Sequence, residues 1–273
     1  MKNTTAAALA PALLCALLQS AAFSQGAGKP VELHINPRWS ECSFQLDPSL
    51  TQEAWRQFTQ EAGLVSYFRS LTDAKPMGAW NYEFSVLQWG TDIDDTDAAW
   101  NDTFVHPDST HWLFDGEMLA FPGLTFRAGI TSRIDVGIYL TVRPGANYGF
   151  WGGQFQYNIV NDLQSNLAAS ARFSLVSMYG PDDLGLTVVG LDLLASKEYS
   201  LLSDWLSISP YGGISTYLSN SHETTAAVDL EDEHILGVQG MVGAVAKIYM
   251  ARLSAEYNVA KVNSLSLKIG VVF

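Results

Sequence analysis

The chain has 273 residues, of which 48% are hydrophobic, and a formal net charge of −13. The acidic balance argues against nucleic acid and anionic membrane surfaces as partners of the bulk protein. With two cysteines in all, Cys15 and Cys42, a multi-disulfide scaffold is excluded.

In chain order, Lys2 opens a short basic start, and Ala6 to Leu18 is an apolar run too brief to span a bilayer as a helix. That pattern reads as an export signal. The small residues of Ser20-Ala21-Ala22-Phe23-Ser24 place cleavage after Ala22 or Ser24, so residues 1–24 form the signal and the mature chain starts near Gln25. Cys15 follows Leu14 rather than a small residue, which argues against lipidation, and its loss with the signal leaves Cys42 alone.

Residues 25–46 carry one weak signal, the alternation Val31 to Ile35. Asp47-Pro48-Ser49 then opens a helical pattern in which Leu50, Ala54, Phe58, Ala62, Val65 and Phe68 share one face. The pattern predicts an amphipathic helix over about 48–72, with Asp47 as N-cap, Pro48 in the first helical position and Lys75-Pro76 beyond its end. Gly63 weakens its middle.

From residue 77 onward the periodicity changes from 3.6 to 2. Ten alternating segments are expected, at about 79–90, 120–130, 134–143, 150–160, 167–177, 184–195, 205–217, 236–248, 251–259 and 264–273. In the last, Leu265, Leu267, Ile269, Val271 and Phe273 share one face, and Ser264, Ser266, Lys268 and Gly270 share the other. The phase slips between Val188 and Val189 near Gly190, and Pro122 is tolerated only at an edge, end or bulge. No apolar stretch after the signal approaches the roughly 18 residues of a membrane helix. In an exported chain such alternation fits either a soluble β-sandwich or a barrel in lipid.

The signal, the ten segments and the final Leu267-Lys268-Ile269-Gly270-Val271-Val272-Phe273 resemble the bacterial outer-membrane β-barrel proteins. The resemblance covers about residues 77–273 and is architectural. It implies an all-β fold: a closed antiparallel transmembrane barrel of about ten strands, between eight and twelve, with residues 25–76 as a periplasmic segment carrying the helix. It also implies location in the outer membrane, with lipid as surroundings, and assembly by the barrel-assembly machinery, which reads a last strand ending in an aromatic residue. Leu267, Ile269, Val271 and Phe273 would be that signal. If Phe273 ends at the periplasmic side, the longest links, about 91–117 and 219–233, both fall on the outer side.

The inward face of such a barrel collects Glu83, Arg127, Asp135, Arg143, Arg172, Asp192, Lys247, Arg252, Glu256 and Lys268, with Tyr139, Gln154, Gln156 and Asn158 among them. Both signs are present, so this set is either a selective polar passage or an interior of mutually satisfied ion pairs. Aromatic residues near strand ends, Trp80, Trp89, Tyr148, Phe150, Trp151, Trp205, Tyr249 and Phe273, are expected in interfacial girdles. The outer links gather acidic residues, and Asp94, Asp95 and Asp97 are candidate hard ligands for Ca²⁺ or Mg²⁺, without EF-hand spacing.

No sequence element calls for a cofactor. Among the histidines, Ser221-His222 beside Glu223 is the one set that suggests a hydrolase at the barrel rim, while His34, His106, His111 and His234 stand in no motif. The expected function is a non-enzymatic outer-membrane barrel, structural or passing or binding small solutes. The alternative is a rim-site hydrolase of lipase or protease type.

Overall fold

The computed structural model describes residues 43–94, 97–105, 118–142, 146–202 and 205–273. The expected export signal, the alternation at Val31 to Ile35 and Arg143 lie outside the described residues. In chain order the elements are β1 (Ser43–Phe44), α1 (Gln52–Val65), β2 (Tyr82–Asp92), α2 (Ala98–Asn101), β3 (Phe104–Val105), β4 (Met118–Gly129), β5 (Ile134–Val142), β6 (Gly149–Asp162) and β7 (Leu167–Tyr179). There follow β8 (Leu184–Lys197), β9 (Tyr199–Leu202), β10 (Leu206–Glu223), β11 (Glu233–Ile248), β12 (Ala251–Val259) and β13 (Ser264–Val272).

Ten of these strands form a closed antiparallel barrel. From β2 through β4, β5, β6, β7, β8, β10, β11 and β12 to β13, each pairs with the next, and β13 pairs with β2 to shut the ring. Closure removes both sheet edges, so the backbone polar groups of the wall are satisfied without water. The closing seam is tied at its end, where Tyr82 and Phe273 exchange N–H···O bonds of 2.9 Å in both directions. Pro122 lies in the stretch of β4 that pairs with β2 alone, because the β5 register begins at Leu124. The short β9 pairs with the start of β10, before the β8 register begins at Tyr211.

Links at the end that carries Phe273 (the terminal end) are 130–133, 163–166, 198–205 and 249–250; the opposite, long-loop end carries 93–117, 143–148, 180–183, 224–232 and 260–263. The two longest links therefore share one end. Outward side chains such as Phe126, Ile138, Trp151, Phe173, Ile214 and Leu253 are exposed along the wall. A closed barrel wearing an apolar exterior is a membrane-spanning one.

The apolar stripe of the helix leaves its cover open, and the structure supplies the barrel itself: residues 43–77 lie at its long-loop end and inside its lumen. Ser43–Phe44 pairs with Val105 and Phe104 at the long-loop end, α1 packs against β8, β10 and β11 from inside, and residues 66–77 run on through the lumen to the terminal end. A ring of ten strands is wider than one whose interior side chains alone can fill, and this segment occupies the difference.

The helix is also shorter than predicted. Thr51, not Asp47, caps it, accepting from the Ala54 N–H at 3.3 Å, while Asp47 closes a turn on Ser49. After Val65 the chain leaves the helix and runs on without regular structure, with Leu71 at a left-handed φ of 48°, and its polar groups take partners on the wall instead. Gly63 lies where α1 comes closest to the barrel: a Cβ there would stand 2.6 Å from Ser219 Cβ.

Candidate functional site

The lumen is built in two layers, and the inward face of each strand changes character to match. At the long-loop end the inward residues are apolar: Leu87 and Trp89 on β2, Phe150 on β6, Val176 and Met178 on β7, Leu184, Leu186 and Val188 on β8. They enclose α1 together with an aromatic cluster in which Phe44 meets Phe104 at 4.6 Å and Tyr148 at 4.8 Å, and Phe58 meets Trp100 at 5.2 Å. Trp89, Tyr148 and Phe150 thus point into the core rather than into a girdle; the Trp89 indole N–H donates to the Val65 carbonyl at 2.7 Å. Trp80, Trp151, Trp205, Tyr249 and Phe273 are exposed, as girdle residues are.

Toward the terminal end the inward face turns polar, and the irregular segment 66–77 is tied to it on several sides. The Tyr67 hydroxyl donates to Asp192, whose other oxygen pairs with Arg172 at 3.1 Å. Arg172 also donates to the Thr72 hydroxyl, and the Lys268 ammonium donates to the Ser70 carbonyl at 2.9 Å. Lys247 pairs with Asp73 at 2.9 Å, the Ala74 N–H donates to the Ser196 hydroxyl, and the Met77 N–H donates to both oxygens of Asp135 at 3.2 Å.

Of the ten inward residues predicted from sequence, nine are described and all nine face the lumen. Arg127 pairs with Asp135 at 2.5 Å, and Glu83 takes both Lys268 at 2.7 Å and Arg252 at 3.1 Å. Glu256 accepts from the Tyr211 hydroxyl at 2.7 Å and from Asn258. Arg143 lies outside the described residues. Sequence reasoning missed the other half of the network, Tyr67, Arg69, Thr72 and Asp73, because no pattern places a polar irregular segment inside a barrel.

Two further ties close the ends. At the terminal end Glu198 joins Lys75 at 2.5 Å and Lys247 at 3.5 Å, and accepts from Ser207. Burial raises its carboxyl, but the Lys75 hydrogen bond, Lys247 and Ser207 outweigh that and hold it below its ordinary value. At the long-loop end Arg56 and Gln52 of α1 both reach Glu233.

The remaining candidates dissolve. Ser221 faces inward and shares a hydrogen bond with Thr59, whereas His222 is the next residue on the strand and faces outward beside Gly185. Alternation puts the two on opposite sides of the wall, so they form no nucleophile and base pair. Asp97 caps α2 by accepting from Ala99 N–H at 3.1 Å and also accepts from Gln57, so its carboxylate is spent on the loop. Asp94 lends its carbonyl to the same turn, and Asp95 lies outside the described residues. Among the described residues no three His, Cys, Asp or Glu side chains converge on a point.

No protein-family model matches the sequence, and neither does any curated protein. Solved structures do align. The β domain of the Bordetella autotransporter BrkA shares 11% identity over 71% of this chain and 100% of that one, with a TM-score of 0.42. An outer membrane channel from Pseudomonas putida F1 shares 14% identity over 74% of this chain and 98% of that one, at 0.39. LpxR from Salmonella typhimurium shares 10% over 70% and 99%, at 0.35. At such scores the assignment rests on the chain's own closed wall and apolar exterior.

Proposed function

We propose that this outer-membrane β-barrel is a closed one: a membrane anchor whose lumen is filled by its own residues 43–77, and which carries no solute. The observation behind this reading is the set of ties from segment 66–77 to strands all around the wall, through Asp135, Arg172, Asp192, Ser196, Lys247 and Lys268. A passage would have to break these hydrogen bonds and the Asp73–Lys247 ion pair at once, and each buried polar group left without its partner costs about 1–3 kcal/mol. The site's chemistry is therefore cohesion, and what the barrel holds up is the cap at the long-loop end, made by β1, β3, α2 and the links around them.

In this reading the terminal end faces the periplasm and the long-loop end faces outward. Residues 1–24 are a cleaved signal, and the outward row Leu267, Ile269, Val271 and Phe273 of the last strand is the barrel-assembly signal. Refolded protein in planar bilayers is expected to show no unitary conductance, and proteoliposomes are expected not to swell in small sugars. A steady open level from the intact chain overturns the closed reading.

A further inference from the structure

The barrel wall is uneven at one place. β12 ends at Val259, opposite Gly240 of β11, while β11 runs seven residues further, to Glu233, paired there with β10 alone. The step leaves a groove of about 590 Å³ on the outside of the wall, lined by Leu191, Leu193, Ile214, Val238 and Val259 with Lys261 at its upper rim. Its floor is bare backbone, since nothing stands within 4 Å of where a Cβ on Gly240 would be. Ile214 and Val238 are 65% and 73% exposed on the lipid-facing side.

Depth and charge identify the occupant. From Ile248 at the terminal end to Gly240 is eight residues, about 27 Å of strand, or roughly 21 Å of height at a tilt near 40°. The apolar belt of such barrels is about 25 Å tall, so Gly240 lies just inside its upper edge and the turn 260–263 lies at headgroup level. Lys261 is exposed in that turn. At this end the other described cations are Arg56, which Glu233 already holds, and Arg69, buried in the lumen and bonded to Leu64, Tyr67 and Ser264. An apolar trough capped by one unengaged ammonium matches an acyl chain whose headgroup carries a phosphate.

We infer that this groove is a specific lipid site, in which one acyl chain lies along Gly240 between Ile214 and Val259 and the lipid phosphate bonds the Lys261 ammonium. The site is independent of whether the lumen is closed. The test is native mass spectrometry of the intact, detergent-solubilised barrel titrated with phosphatidylglycerol and with phosphatidylcholine of the same chains.

One phosphatidylglycerol is expected to stay bound per barrel. Lys261→Gln is expected to weaken it about fivefold, the scale of one lysine at an anionic surface, with a smaller change for phosphatidylcholine, whose phosphate is offset by its own choline cation. Gly240→Leu, which fills the trough from the lipid side, is expected to weaken both lipids; Gly240→Ala serves if the larger variant does not fold, folding being read from the shift in gel mobility on heating. Equal retention by all variants means belt lipid only and overturns the site, as does the absence of any retained lipid. Loss in Lys261→Gln without loss in the Gly240 variants overturns the acyl trough.

Discussion

The ring of Tyr67 occupies the place where a side chain at Gly190 would stand, and from there its hydroxyl reaches Asp192, two residues along the same strand face. The lumen segment and the wall are thus fitted at one point by a missing side chain and an added hydrogen bond. Gly190→Leu is expected to destabilise the folded barrel by about 1–3 kcal/mol through overpacking. The check is the temperature at which the compact gel band is lost. Removing the ring with Tyr67→Ala in the Gly190→Leu background should recover part of that loss, and purely additive effects of the two changes would show that they do not meet.

Arg172 and Asp192 are both buried, so neither is tolerated alone. Asp192→Asn is expected to cost about 3–5 kcal/mol by leaving Arg172 unpaired, whereas Arg172→Met with Asp192→Leu should cost far less, because the desolvation of both charges is removed together. Chemical unfolding of the parent and the two variants in detergent supplies the comparison. A double variant as damaged as the single one would mean that the pair is needed for the lumen segment and not only for itself.

Glu198 ties the exit of the lumen segment to the wall through Lys75 and Lys247. Its carboxyl is lower in the folded chain than in the unfolded one. The stabilisation is therefore fully present above the ordinary carboxylate value near 4.3 and lost as pH falls through the lower folded value. The intact protein should lose stability on acidification from about pH 5 to about pH 3, and Glu198→Gln should flatten that part of the profile while lowering stability at neutral pH. An unchanged slope in the variant would assign the acid sensitivity to other carboxylates.

Ten strands were legible because each wall has lipid on one side and polar partners on the other, which forces a period of two. The places where that period blurred carried the missing information. Val188 and Val189 are both apolar because Val188 faces α1 while Val189 faces outward, and two residues on, Gly190 makes way for Tyr67. The same holds for Phe150 beside Trp151: one is core and the other exterior. A run of strands apolar on both faces at one end and alternating at the other is the signature of a filled barrel, and it stood in the sequence. The position of the helix did not, since an apolar stripe states that a face must be covered and not by what. Segment 66–77 was illegible for a different reason: its polar side chains answer partners more than a hundred residues away, such as Asp192 for Tyr67 and Lys247 for Asp73.

Gly63 separates helix propensity from packing. In an exposed helix Gly→Ala gains about 1 kcal/mol. Here the new methyl would stand 2.6 Å from Ser219 Cβ and 3.0 Å from Tyr217 Cε2, both on β10, and Tyr217 also donates to the Gln60 carbonyl. Gly63→Ala is therefore expected to destabilise by about 1–3 kcal/mol despite the better helix former. In a Ser219→Gly background, where the nearest atoms are gone, most of that cost should disappear. The four stabilities form a double-mutant cycle whose coupling term reads the approach of helix to wall directly. A Gly63→Ala variant as stable as the parent or more so would place α1 farther from β10 than the register of the lumen requires.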